Sequence, residues 1–120
     1  MAEHNELGKK GEEAAVNLLI SKGHRILERN WRRYGYEIDV ISQERGYIVF
    51  TEVKTRSSQT WGNPEDFVDR RRMRRMVAAA DSYMKRHRID LPARFDIVAV
   101  LWKDSRCEME HFEDAFLPFI

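Results

Sequence analysis

Two acids and a lysine are set into apolar, strand-forming sequence. Asp39 lies in Tyr36-Glu37-Ile38-Asp39-Val40-Ile41, and Glu52 and Lys54 lie in Tyr47-Ile48-Val49-Phe50-Thr51-Glu52-Val53-Lys54. Side chains alternate across a strand, so Ile48, Phe50, Glu52 and Lys54 share one face and Val49, Thr51 and Val53 the other. Both faces are largely apolar, which predicts a strand covered on both sides. A carboxylate there takes up a proton unless a cation keeps it ionised, and the candidates are a metal, the nearby lysine, or both. The alternative is a strand that runs out into solvent, with Glu52 and Lys54 as an exposed pair. Asp39 in a neighbouring apolar strand favours the buried arrangement.

The elements that must hold these residues can be read from periodicity. Leu7, Ala15, Val16, Leu18, Leu19 and Ile20 give a helical pattern over Leu7 to Lys22, which Gly23 ends as the residue after the cap. Glu12 lies one turn before Ala15 and Val16 and so shares their inward side, whereas Glu13 falls in line with Asn17. Glu12 is either a first-turn acid favoured by the helix dipole or a functional one. Gly8 and Gly11 each weaken a helix by roughly 1 kcal/mol relative to alanine, which points to a close backbone approach or to a frayed start. His24 to Trp31 reads as a first strand, Arg32 to Gly35 as a turn, and Ser42 to Gly46 as the turn between the two acid-bearing strands. Thr55 to Val68, with Ser57, Ser58, Gly62, Asn63 and Pro64, reads as an irregular loop.

A second helix is expected from Asp69 as N-cap, with Val68 and Met73 placed as a hydrophobic staple. Met73, Met76, Val77, Ala80, Met84 and His87 form one face, and the spacing makes the methionines core residues, not ligands. Arg70, Arg71, Arg72, Arg74 and Arg75 crowd its first turns, where positive charge opposes the helix dipole. A bound polyanion would reverse that sign, because free N–H groups and arginines together suit phosphate. A solvated basic face is the plainer alternative. Arg94 to Trp102 and Glu108 to Phe112 read as two more strands, with Asp96 satisfying a neighbouring arginine.

Length and composition limit the function classes. The 120 residues suit one domain spanning 1–120, and 21 Lys and Arg against 20 Asp and Glu leave a net charge of +1. Any attraction for nucleic acid must therefore come from clustered charge. A single cysteine, Cys107, excludes an internal disulfide and a multi-cysteine zinc site. His4, His24, His87 and His111 share no ligand spacing, and no phosphate-binding glycine loop or nucleophile elbow is present. No run suits a bilayer span and the start lacks the pattern of a signal peptide, so a soluble cytoplasmic protein is expected.

A helix acid, a strand aspartate and Glu-x-Lys thirteen positions later on the adjacent strand resemble the PD-(D/E)XK nuclease core, as in archaeal Holliday-junction resolvases. The ordered set goes further. Gly8-x-x-Gly11-Glu12-x-x-Ala15, Arg29-Asn30, Glu37-Ile38-Asp39, Val49-Phe50-x-Glu52-Val53-Lys54-x-Arg56, Arg72 to Arg75, Arg94-Phe95-Asp96 and Glu113-Asp114-Ala115-Phe116 resemble the YraN family of small bacterial proteins, regarded as endonuclease-like. The resemblance implies an α/β, restriction-endonuclease-like core with a mixed sheet of about five strands flanked by helices. It also implies Glu12, Asp39 and Glu52 as carboxylates for Mg²⁺ or Mn²⁺, with Lys54 as the catalytic lysine. Tyr36 stands where that family usually has glycine, and either narrows access or offers a base a stacking surface.

The resulting expectation is a metal-dependent DNA endonuclease whose phosphate contacts come from Arg56, Arg70, Arg71, Arg72, Arg74 and Arg75, joined by Lys9, Lys10, Arg32 and Arg33. Its rival is a nucleic-acid-binding accessory protein that keeps the fold without significant catalysis. Phe112, Phe116, Leu117, Phe119 and Ile120 are expected to close the core, with a resolvase-like homodimer contact as the alternative.

Overall fold

Alternation in the strands and a 3.6-residue period in the helices produce a sheet covered on both faces. The structure is a computed structural model that describes residues 2–57, 70–104 and 106–115. In chain order it contains α1 (Ala2–Ser21), β1 (Arg25–Arg33), β2 (Tyr36–Glu44), β3 (Tyr47–Arg56), α2 (Arg70–Arg86), β4 (Ala93–Lys103) and β5 (Arg106–Phe112). The strands form one sheet in the order β1-β2-β3-β4-β5, antiparallel throughout except for the parallel pair β3 and β4. This is an α/β fold with a five-stranded mixed sheet, compatible with a restriction-endonuclease-like core.

Successive residues of β4 sort the two cores. Phe95, Ile97 and Ala99 join Ile41, Ile48, Phe50 and the α2 residues Met73, Met76, Ala79, Ala80 and Tyr83. Val98 and Val100 join Val40 and the α1 residues Ala15, Val16 and Leu19 on the other face. Sequence periodicity anticipates Met73, Met76 and Ala80 but not Ala79 or Tyr83. His87 is exposed, with its ring 4.3 Å from that of Tyr83.

Most boundaries agree with the sequence reading, and the exceptions have local causes. Gly23 does end α1: its φ is +95°, its N–H donates to Ile20 O, and the His24 N–H reaches back to Leu19 O. The turn expected over Ser42 to Gly46 shrinks to Arg45 and Gly46, with φ of 51° and 80°. Ser42 and Glu44 extend the strand instead because both are tied into a buried polar cluster on the α1 side. There His24 Nδ1 and Ser42 Oγ lie 2.8 Å apart, and Glu44 accepts from Arg94 at 2.8 Å. Arg94 also grips Asp96 through two hydrogen bonds of 3.0 and 2.9 Å, the pairing expected for Asp96. Asp96 further accepts from the Asp114 N–H and lies 2.7 Å from His111 Nε2. Burial pushes the Asp96 carboxyl up, but these donors outweigh burial and hold it below the usual carboxylate range.

The expected N-cap Asp69, the staple residue Val68 and most of the preceding loop lie outside the described residues, as do Phe116, Leu117, Phe119 and Ile120. Phe112 and Ala115 pack against the α2-side core, and the Ala115 N–H donates to Phe95 O at 2.7 Å. Among the described residues no helix is long and apolar enough to cross a membrane.

Candidate active site

The pairing of β2 with β3 runs from Glu44 opposite Tyr47 to Val40 opposite Thr51, and stops there. Beyond that point β2 stays with β1 as far as Tyr36 opposite Arg33, while β3 stays with β4 as far as Arg56 opposite Leu101. The sheet therefore forks between the two strands that carry the acids. Asp39 and Glu52 are the first residues on either side of the fork. Ile38 belongs to the α2-side core and Val40 to the α1-side core, so the regular alternation of side chains breaks across Asp39.

Asp39 fills the place of the next ladder bond. Its Oδ2 accepts from the Val53 backbone N–H at 2.8 Å, which satisfies a donor that the departing strand leaves behind. The residue is only 7% exposed. Burial, followed by the neighbouring Glu52 charge, pushes the Asp39 carboxyl up to about 8, against the opposing effect of the Val53 N–H. A hydrogen bond to Glu52 and the charge of Glu12 push the same way. At neutral pH the pair thus holds a proton that a cation can replace.

Glu52 is 1% exposed, and its partner comes from α2. Arg72 donates through Nε to Oε2 at 2.5 Å and through Nη2 to Oε1 at 3.1 Å, the two-pronged geometry in which guanidinium matches carboxylate best. The cation that meets Glu52 is this arginine, not the lysine two residues along the strand. The signal was present in the sequence: Arg72 lies one turn before Met76, on the face of α2 that is buried. Its side chain remains 43% exposed, so it borders both the core and solvent.

Glu12 reaches the fork through an unusual contact. A Cβ on Gly11 would collide with Thr55 Oγ1 and come within 3.2 Å of Thr55 Cβ, so only glycine lets α1 approach β3 this closely. That approach sets the half-buried Glu12 near enough for its charge to act on Asp39. Gly8 has open space around it and serves no such contact. Lys54 is half-buried on β3, on the same side of the strand as Glu52 by alternation.

Among the described residues no group of three or more His, Cys, Asp or Glu side chains is placed to hold a metal ion. Glu12, Asp39 and Glu52 do not form a ready three-carboxylate cage. Asp39 and Glu52 nonetheless have the chemistry for Mg²⁺ or Mn²⁺, because both offer hard oxygen ligands. Mg²⁺ is commonly held by one or two carboxylates, its own waters and a substrate phosphate. The two acids fit that donor set.

The basic residues divide into several groups. Arg70, Arg71, Arg74 and Arg75 are exposed on the first turns of α2, Arg72 turns to Glu52, and Arg56 is exposed at the end of β3. Lys9 and Lys10 are exposed on α1. Arg32 and Arg33 flank the β1–β2 turn. Tyr36 packs against the α2-side core instead of offering a free ring. The exposed ring at this end is its neighbour Tyr34, which periodicity alone does not mark.

Comparison with known proteins agrees with this frame. A model of the Uncharacterised protein family UPF0102 matches residues 11–100, a span that includes Glu12, Asp39, Glu52, Lys54 and all of α2. A UPF0102 protein of Bacteroides thetaiotaomicron is 46% identical over 118 residues, covering 98% of each chain. One from Flavobacterium psychrophilum is 47% identical over 119 residues, covering 99% of this chain and 100% of the relative. One from Phocaeicola vulgatus is 44% identical over 118 residues, again covering 98% of each. A match of this extent along the whole chain makes the protein a member of the uncharacterised UPF0102 family, the YraN proteins.

Proposed function

We propose that the protein is a metal-dependent endonuclease acting on DNA, with its reaction centre at the fork. The observation that carries this reading is the Asp39 and Glu52 pair, two buried acids side by side, where burial and the Glu52 charge push the Asp39 carboxyl up. Evolution has a simpler way to fill a core than with two carboxylates, and a hard cation is what such a pair suits. A divalent ion held there would polarise the scissile phosphate and lower the pKa of an attacking water. Asp39 and Glu52 supply the ligands and Glu12 adds negative charge behind them. Lys54, on the Glu52 side of β3, would orient that water or offset charge as the phosphate turns over. Arg70, Arg71, Arg74 and Arg75 take the phosphate backbone without reading sequence.

Arg72 has two roles in this scheme. It neutralises Glu52 before metal binds, and it can swing to phosphate when nucleic acid arrives, since nearly half of its side chain already meets solvent. The same ion pair favours one rival. If Arg72 never leaves Glu52, the fork is a structural contact and the protein is a nucleic-acid-binding accessory protein. A cleavage assay with Mg²⁺ and Mn²⁺ on duplex, flap and four-way DNA separates the two. Cutting by the wild type that disappears in Glu52→Gln supports the endonuclease, and binding without cutting on every substrate supports the accessory protein.

A further inference from the structure

The β1–β2 turn is built against its own local preference. Tyr34 and Gly35 both have left-handed backbones, with φ of 52° and 79°. A two-residue hairpin turn of this kind favours asparagine or aspartate at the first position, and a bulky aromatic residue there is strained. Nothing in the core compensates, because Tyr34 is 81% exposed. Its ring is instead held from one side: the Arg33 guanidinium carbon lies 4.7 Å from the ring centroid, and Arg33 Nη2 donates to the tyrosine hydroxyl at 3.2 Å.

Around this ring Arg32, Arg33, Tyr34, Gly35, Tyr36 and Glu37 line an open recess of about 430 Å³. Arg33 Nε is buried and has no hydrogen-bond partner among the described residues. Among the described residues Arg32 has only an exposed 3.4 Å contact with Glu37, which solvent screens. The recess thus combines a presented aromatic face with a surplus of positive charge. Tyr34 is five residues before Asp39, roughly 16 Å at the rise of an extended strand. A few nucleotides of extended chain span that distance.

We propose that this hairpin tip is a stacking site for an unpaired base, with Arg33 and Arg32 taking the adjacent phosphate, and that it makes the protein prefer single-stranded nucleic acid over blunt duplex. Bases in a duplex already stack on each other, whereas a free base gains from an aromatic platform whatever its identity. The inference rests on the nucleic-acid reading of the fork but not on catalysis.

The test is fluorescence anisotropy of a labelled single-stranded oligothymidylate and of a labelled blunt duplex, without divalent metal, on the full chain. Tyr34→Asn removes the ring while giving the turn a favoured residue, so its melting temperature should equal or exceed that of the wild type. Its affinity for the single strand should fall about tenfold while duplex affinity holds within about twofold. Tyr34→Phe should keep single-strand affinity. A Tyr34→Asn protein that binds the single strand as tightly as wild type, or that loses duplex binding equally, overturns the stacking site and leaves the endonuclease reading untouched. A wild type that binds neither probe also overturns the stacking site, and the cleavage assay with Mg²⁺ and Mn²⁺ then decides the endonuclease reading separately.

Discussion

Arg72 on α2 grips the buried Glu52 on β3 through two hydrogen bonds, and so puts the first turn of a helix in contact with the fork of the sheet. Removing the arginine leaves a carboxylate without its counter-cation, whereas removing both charges does not. Arg72→Ala should therefore destabilise the protein on the order of 2–3 kcal/mol, below the figure for a fully buried pair because Arg72 is partly solvated. Glu52→Gln combined with Arg72→Ala should recover most of that loss. Urea denaturation of the two single variants and the double variant checks this, and strictly additive losses would refute the coupling.

Gly11 and Gly8 lie three residues apart on α1 and predict opposite outcomes. At Gly11 an added methyl meets Thr55, so Gly11→Ala should destabilise by about 2 kcal/mol and push Glu12 away from the fork. At Gly8 the space is open, and Gly8→Ala should stabilise by up to about 1 kcal/mol through helix propensity. Thermal melts of both variants are sufficient, and equal shifts of the same sign would contradict the close approach of α1 to β3.

The Asp39 carboxyl gives stability a pH dependence of unusual sign. Its folded value, pushed to about 8, lies above its ordinary range, so the unfolded chain releases this proton first as pH rises. The group's contribution is fully present below about pH 4 and is lost progressively up to about pH 8. His24 acts in the other direction over part of this range, because burial holds it below its usual value and folding disfavours its protonation as pH falls. The clean readout is the difference between wild type and Asp39→Asn. The gap in unfolding free energy should widen in favour of the variant from pH 4 to pH 8, and a constant gap would show that Asp39 is ionised throughout.

How much of this was legible in the sequence varies with the physical basis of each feature. The helices, the strands and the acid pair follow from periodicity, which local sequence carries. Gly11 was singled out for its poor helix propensity, and the structure supplies the partner, Thr55, that no local pattern names. Arg72 could be placed on the inward face of α2 by its distance from Met76, but its pairing with Glu52 depends on how α2 packs across the sheet. The cluster of His24, Ser42, Glu44, Arg94, Asp96 and His111 comes from three strands and the α1–β1 connection, so apart from Arg94 with Asp96 no sequence spacing reveals it.

The exposed arginines of α2 give a salt-dependent prediction. Each phosphate that an arginine neutralises releases counterions, so replacing Arg71, Arg74 and Arg75 by alanine should weaken DNA binding. On duplex DNA the slope of log affinity against log salt should become shallower by about 0.9 for every phosphate no longer neutralised. Titrations at several salt concentrations measure the slope. An unchanged slope would place the phosphate-binding surface elsewhere on the protein.

In the proposed site Asp39 and Glu52 would together hold a divalent cation, and calorimetry with Mn²⁺ at pH 7 tests this most directly. Since Asp39 keeps its proton at that pH, metal binding must displace it. The expected result is binding at millimolar Mn²⁺ or below, release of about one proton as read from buffers of different ionisation enthalpy, tighter binding as pH rises toward 8, and loss of the signal in both Asp39→Asn and Glu52→Gln. Absence of binding by the wild type, with and without DNA, or binding that persists unchanged in both variants, would contradict it.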